Sequence, residues 1–224
     1  MVGSLLLELR KTENIRRYQT RKMLFPRTVG EHTTSVAHFA FVLAQWQERK
    51  FGTPVNWAEL YGRVLFHDAP ETQTGDILSP TKNYTPELKS EIRRAEAGLY
   101  EEHYSPLIPV SWRPDMRRFM LEGKDGSLEG LILEAADLLD VVFEMRTELS
   151  YLNESRLLQS EFAAILGVTL MRLTEVALPS VRYFLRYPLQ DLKLEAYYPP
   201  GFAERVAAYQ FDQRHFENID SIHP

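Results

Sequence analysis

The chain has 224 residues, with 26 Lys and Arg against 31 Asp and Glu (net charge −5), 44% apolar residues and 25% charged residues. This is the composition of a globular chain able to bury a full core as one large domain, and the acidic balance argues against general nucleic-acid binding. The sequence contains no cysteine, which excludes disulfides, zinc–thiolate sites and thiol nucleophiles, so any metal must rest on imidazole and carboxylate.

Residues 3–11 predict a short amphipathic helix rather than a signal peptide, because Glu8 interrupts the leucines and no small-residue cleavage site follows. Residues 14–30 gather Arg16, Arg17, Arg21, Lys22 and Arg27, with Pro26 and Gly30 placing part of this basic group on a loop. Thr28 is a candidate cap. A long helix is expected from Glu31 to about Lys50, on the apolar spacing of Val36, Phe39, Ala40, Leu43 and Trp46, and Phe51-Gly52-Thr53-Pro54 ends it. Asn56 caps the next helix, from Trp57 toward Asp68.

Residues 70–86, rich in Pro, Gly, Thr and Ser, predict a loop. A charged helix follows from Thr85-Pro86-Glu87 to about His103, then a proline-rich connection over 104–114 and a short helix around Asp115–Glu122. Lys124-Asp125-Gly126-Ser127 predicts a turn with a cap, Leu128 to about Leu149 a strongly apolar helix carrying Asp137 and Asp140, and residues 154–176 another helix. Period-2 alternation is scarce, so the fold class is all-α. From Pro188 onward prolines and aromatics suggest a less regular tail. The division is a body over 1–180 and a C-terminal extension over 181–224 packed on it. No apolar run approaches the roughly 18 residues of a membrane span, which points to the cytoplasm.

The chemistry gathers at Phe66-His67-Asp68-Ala69-Pro70-Glu71. Read as a helix, this stretch puts His67 and Glu71 one turn apart on one face and makes Asp68 and Glu71 neighbours. Ionisable groups on a face that should be core need a partner. A divalent metal with a bound water, and Glu71 beside it as base, is the outline of a metal-assisted hydrolase. Taken alone, His32 is an ordinary polar residue at a helix start, and His67-Asp68 is a common dipeptide. Asp137, in the otherwise apolar Ile132-Leu133-Glu134-Ala135-Ala136-Asp137, lies either at a solvent edge or inside a bundle facing a metal.

His32, His67, Asp68 and Asp137 together make the H…HD…D pattern, which resembles the HD-domain metal-dependent phosphohydrolases. The blocks Val29-Gly30-Glu31-His32-Thr33, His67-Asp68-Ala69-Pro70-Glu71, Thr74-Gly75-Asp76-Ile77-Leu78-Ser79-Pro80-Thr81-Lys82 and Glu134-Ala135-Ala136-Asp137 are similar to the YfbR-like branch, the bacterial 5′-deoxynucleotidases, over about residues 14–150. The resemblance implies an HD-domain helical bundle over 1–180 and one divalent metal (Co, Mn, Zn, Mg or Fe) on His32, His67, Asp68 and Asp137. His103, the one histidine between Asp68 and Asp137, is expected at the surface and does not extend the site to two metals. Glu71 would handle the proton of the attacking water, with Asp68 also holding that water. Arg17 would clamp the phosphate, Asp76 would accept from a sugar hydroxyl, and Lys82 would add positive charge. The family carries Trp where this chain has Tyr18, at the position expected to discriminate sugars.

The reaction implied is removal of the 5′-phosphate from a (deoxy)nucleoside monophosphate by metal-activated water, in a cytoplasmic homodimer that needs neither membrane nor nucleic acid. Three rivals stand beside it. Another HD hydrolase would act on a triphosphate, alarmone or cyclic nucleotide, a reading to which Arg27 adds a cation. A regulatory protein would bind metal or nucleotide without turnover. A helical interaction protein would hold no metal.

Overall fold

Four of the helices begin where the sequence supplies a side-chain cap. Thr28 and Glu31 form a reciprocal box: Thr28 Oγ1 accepts the Glu31 backbone N–H at 3.2 Å, and Glu31 Oε2 accepts that of Thr28 at 2.7 Å. Asn56 Oδ1 accepts from Glu59 N–H at 3.2 Å, Thr85 Oγ1 from Leu88 at 3.1 Å and Ser127 Oγ from Gly130 at 3.1 Å. Each satisfies a donor that a helix start leaves over. The computed structural model describes residues 2–151 and 156–211, and among them there is no strand. The elements are α1 (Val2–Leu9), α2 (Val29–Arg49), α3 (Trp57–Phe66), α4 (Glu71–Thr74), α5 (Ser79–Lys82), α6 (Pro86–Leu99), α7 (Arg113–Leu121), α8 (Leu128–Tyr151), α9 (Arg156–Glu175), α10 (Pro179–Arg186) and α11 (Phe202–Ala207), with single 3₁₀ turns between several of them. The all-α class holds. His215, His223 and the end of the expected extension lie outside the described residues.

The chain divides into two compact units, one of residues 1–37 with 61–125 and one of 38–60 with 126–224. In the first, Leu5, Ala69, Tyr100, Tyr104, Ile108, Met116 and Met120 form a buried cluster, joined at its edge by Phe66 and Phe119. Gly62 of α3 lets α7 approach: a Cβ there would lie 2.5 Å from the Phe119 ring. In the second unit α8 packs along α9, and α9 meets α10 and α11. Phe39 and Phe143 stack at 4.9 Å between centroids, and Tyr183 takes Trp46 edge-on at 5.2 Å with Lys50 Nζ 4.3 Å from its ring centroid. Residues 188–207 are short turns and α11, tied down by buried Leu189, Leu194, Phe202 and Val206.

Three expectations need correction. The helix expected to run toward Asp68 stops at Phe66, and residues 67–70 are a turn. Pro70 accounts for it: a proline has no N–H to bond the Phe66 carbonyl, which accepts the Ala69 N–H at 3.1 Å in a tighter turn instead. His67 and Glu71 therefore do not share one helical face. Second, residues 70–86 are not all loop, because α4 and α5 are single helical turns within them. Third, Leu157–Glu175 is long and apolar enough on average (mean hydropathy 1.2) to cross a membrane by length and composition, though Glu161 and Arg172 break the run. Phe162, Leu166, Leu170 and Leu173 of this helix are fully buried within the second unit.

Candidate active site

His32 enters from the first turn of α2, and its side chain is fully buried. His67 enters from the turn after α3. Its Nδ1 lies 2.9 Å from the Val64 carbonyl, so Nδ1 donates there and Nε2 is turned toward Asp68, the orientation that metal-binding imidazoles take. Asp68 Oδ2 lies 3.3 Å from His32 Nε2 and 3.2 Å from His67 Nε2, and the three ligand atoms fall within 4.8 Å of one another. Donors around one ion at about 2.0–2.2 Å are spaced about 3 Å apart, so the trio fits a single divalent cation. The fit has a second support: His67 Nε2 is buried without an aligned hydrogen bond, an arrangement that costs free energy unless a partner arrives. Burial disfavours the Asp68 charge, but the facing imidazoles of His67 and His32 more than offset this and hold its carboxyl well below the usual range.

Glu71 opens α4 immediately after the turn and is buried. Lys82, at the end of α5, donates to its Oε1 at 3.3 Å, while Oε2 is buried without a hydrogen bond. Burial, the Asp68 charge and the Asp76 charge push the Glu71 carboxyl up to about 8, against the opposing pull of Lys82 and Arg17. A carboxyl that titrates near neutrality beside residues able to hold a metal is suited to moving a proton. Lys82 thus touches Glu71 in this structure, a contact its candidacy as a phosphate ligand did not anticipate.

The basic segment is held as a closed loop. Arg16 and Thr28 make an antiparallel bridge, Arg17 N–H donates to the Arg27 carbonyl at 2.9 Å, and Val29 N–H to that of Ile15 at 2.8 Å. Tyr18 sits in the left-handed region at φ 52°, and its N–H donates to Asp76 Oδ2 at 2.9 Å. Arg17 and Tyr18 are both buried, with the Arg17 Cζ 5.5 Å from the Tyr18 ring centroid. A cavity of about 480 Å³ opens on this loop, lined by Arg16, Arg17, Tyr18, Arg21 and Lys22 among others. Arg27 does not line it: its guanidinium donates to the Glu31 carbonyl at 2.8 Å and to Ser35 Oγ at 2.6 Å. That removes the weight Arg27 lent to a more highly phosphorylated ligand.

The first unit therefore holds His32, His67, Asp68, Glu71, Lys82, Asp76, Arg17 and Tyr18. Asp137 belongs to the second unit, half-buried on α8 between buried Ala136 and Leu138. His103 lies outside the ligand trio, with 37% of its side chain exposed. Sequence reasoning passed over the row Asp140, Glu144 and Glu148, one turn apart on α8 and all buried; the i, i+4, i+8 spacing was its one visible signal.

A helical scaffold presenting His and His-Asp donors beside a buried carboxylate is the arrangement of an HD-domain phosphohydrolase. The match to the 5′-deoxynucleotidase YfbR-like family spans residues 4–192, and the chain belongs to that family of nucleotide phosphohydrolases. It is similar to 5′-deoxynucleotidase VV1113 of Vibrio vulnificus, 29% identical over 177 residues that make up 79% of this chain and 88% of that protein. Among solved structures it resembles an HD-domain phosphohydrolase from Listeria innocua, with TM-score 0.75 and 30% identity over 92% of this chain and 98% of the other. The cyanophage S-2L HD phosphohydrolase DatZ, solved with dA and one catalytic Zn²⁺, shares the fold at TM-score 0.54 and 18% identity, over 91% of this chain and 96% of that one.

Proposed function

We propose that the protein removes the 5′-phosphate from deoxynucleoside monophosphates, using one divalent metal. The observation that carries this reading is the convergence of His32, His67 and Asp68 on one small volume, with Glu71 buried beside them. His32, His67 and Asp68 would hold the ion, and Asp137 is retained as the fourth ligand on its motif alone. Two imidazoles and two carboxylates suit Co, Mn, Zn, Mg or Fe; the DatZ structure contains Zn²⁺. When bound, such an ion supplies a Lewis acid at the phosphate and lowers the pKa of water beside it.

The side chains account for the remaining steps. Arg17 sets its planar fork of donors against the phosphate oxygens. Glu71, ionised, takes the proton of the attacking water as the new oxygen–phosphorus bond forms, and as the phosphorus–O5′ bond breaks O5′ takes a proton from solvent and leaves as the nucleoside hydroxyl. Lys82 keeps Glu71 partly ionised and in place. Asp76 spends one oxygen on the Tyr18 N–H, which leaves the other for a sugar hydroxyl. Tyr18 lies where the sugar would meet the loop. A cytoplasmic homodimer completes the reading, checked by light scattering of the purified chain. The function is tested by phosphate release from 5′-dAMP and 5′-AMP with metal-stripped protein given each metal in turn; turnover restricted to triphosphates would overturn it.

A further inference from the structure

We infer that Tyr104 is a positioning residue for catalysis, its hydroxyl fixing the turn that carries Asp68 and Glu71. The role rests on the function proposed above. Tyr104 closes a π-helical turn, Tyr100–Tyr104, that continues α6. The wider turn sends both tyrosines into the core of the first unit, where their rings stack at 6.4 Å and neither has more than 1% exposure. The Tyr104 hydroxyl donates to the Ala69 carbonyl at 2.5 Å and meets the Thr72 hydroxyl. A phenol has one proton, so with that proton on Ala69 the Thr72 hydroxyl donates to the phenol oxygen. The Ala69 carbonyl also receives the Thr72 N–H at 3.1 Å. One buried hydroxyl thus joins the residue after Asp68 to the residue after Glu71.

The clamp has a second jaw. Glu8 of α1 accepts from Gln73 Nε2, lies 3.4 Å from Thr72 Oγ1 and is itself held by Lys11 Nζ at 2.7 Å, which gives α4 a second outside partner. Burial pushes the Tyr104 phenol up to about 12, so it remains a donor across the working range of pH. Phe would fill the same space, so packing alone does not call for the hydroxyl. Short turns need such outside partners because a single helical turn does not hold itself.

The test uses Tyr104→Phe, Thr72→Val and the double variant in the full chain, each checked for its thermal midpoint. In metal-free protein, hydrogen exchange at the Thr72 and Gly75 amides is expected to speed up about tenfold in Tyr104→Phe, with α8 unchanged. For 5′-dAMP, kcat is expected to fall on the order of tenfold with KM within about twofold. The double variant is expected to be no worse than the poorer single variant, because both act through one network. Unchanged exchange at these amides, or a loss spread evenly over α8 as well, overturns the role whatever the activity. Absence of nucleotide turnover in the unmutated chain would instead overturn the proposed function, and the exchange result would still decide the clamp.

Discussion

The Lys82 ammonium lies 3.3 Å from Oε1 of Glu71 and 3.9 Å from Glu96 Oε1. Burial works against the Lys82 charge, yet Glu71, Asp68 and Glu96 together raise its pKa. The pair couples the last residue of α5 to the carboxylate assigned to proton transfer, and Lys82 favours the ionised form of Glu71 against burial and the Asp68 charge.

Lys82→Met removes the cation that favours ionised Glu71, so the carboxyl must titrate higher still. Each unit of upward shift cuts the ionised fraction about tenfold below the pKa. The acidic limb of the pH–rate profile is expected to move to higher pH, with kcat about tenfold down at pH 7 and recovering toward pH 9. An unshifted limb would show that Lys82 does not act through Glu71.

The stability of metal-free protein should carry the opposite signature of Glu71. Its carboxyl titrates at about 8 when folded against an ordinary 4.5, so the unfolded chain ionises first. Folding is unpenalised below about pH 4.5, loses stability as pH rises between 4.5 and 8, and levels off above. Asp68, depressed in the folded state, behaves in reverse: its contribution is present above the ordinary range near 3.8 and is lost as pH falls further. Metal-free Glu71→Gln should therefore match the parent near pH 4.5 and exceed it at pH 8.5, by an amount on the order of a few kcal/mol. Calorimetric midpoints across that range check this, and equal slopes for the two proteins would refute it.

Asp76 holds Tyr18 at φ 52°, a conformation that costs about 1–2 kcal/mol for a residue with a side chain. Asp76→Ala frees the Tyr18 N–H, so the loop bearing Arg17 relaxes. KM is expected to rise about tenfold, and Asp76→Asn, which keeps an acceptor, is expected to recover most of it. Steady-state kinetics on 5′-dAMP for the two variants decides between this role and a simple turn former, for which Asn and Ala would behave alike.

Much of the scaffold was legible because its signals are local. The spacing of Val36, Phe39, Ala40, Leu43 and Trp46 marks α2, and Thr28, Asn56, Thr85 and Ser127 each cap the helix that follows. The donors His32, His67 and Asp68 were legible as motifs, and the structure brings these three together. What failed was tied to contacts distant in sequence. Pro70 carried a helix-stop signal that the apolar run before it obscured. The turns α4 and α5 are too short to announce themselves, since partners such as Tyr104 and Glu8 hold the first of them. Arg27 looked like one more loop cation until its bonds to the Glu31 carbonyl and Ser35 were seen. The row Asp140, Glu144 and Glu148 was not legible as buried, because burial of a helix face is decided by what packs on it.

The most direct test of the central claim is to strip the protein of metal, restore one divalent ion at a time, and measure phosphate released from 5′-dAMP by the parent chain and by Asp68→Ala. The account predicts metal-dependent release by the parent, with loss of both bound metal and at least about a hundredfold of activity in Asp68→Ala. Full activity and normal metal content in Asp68→Ala would contradict it.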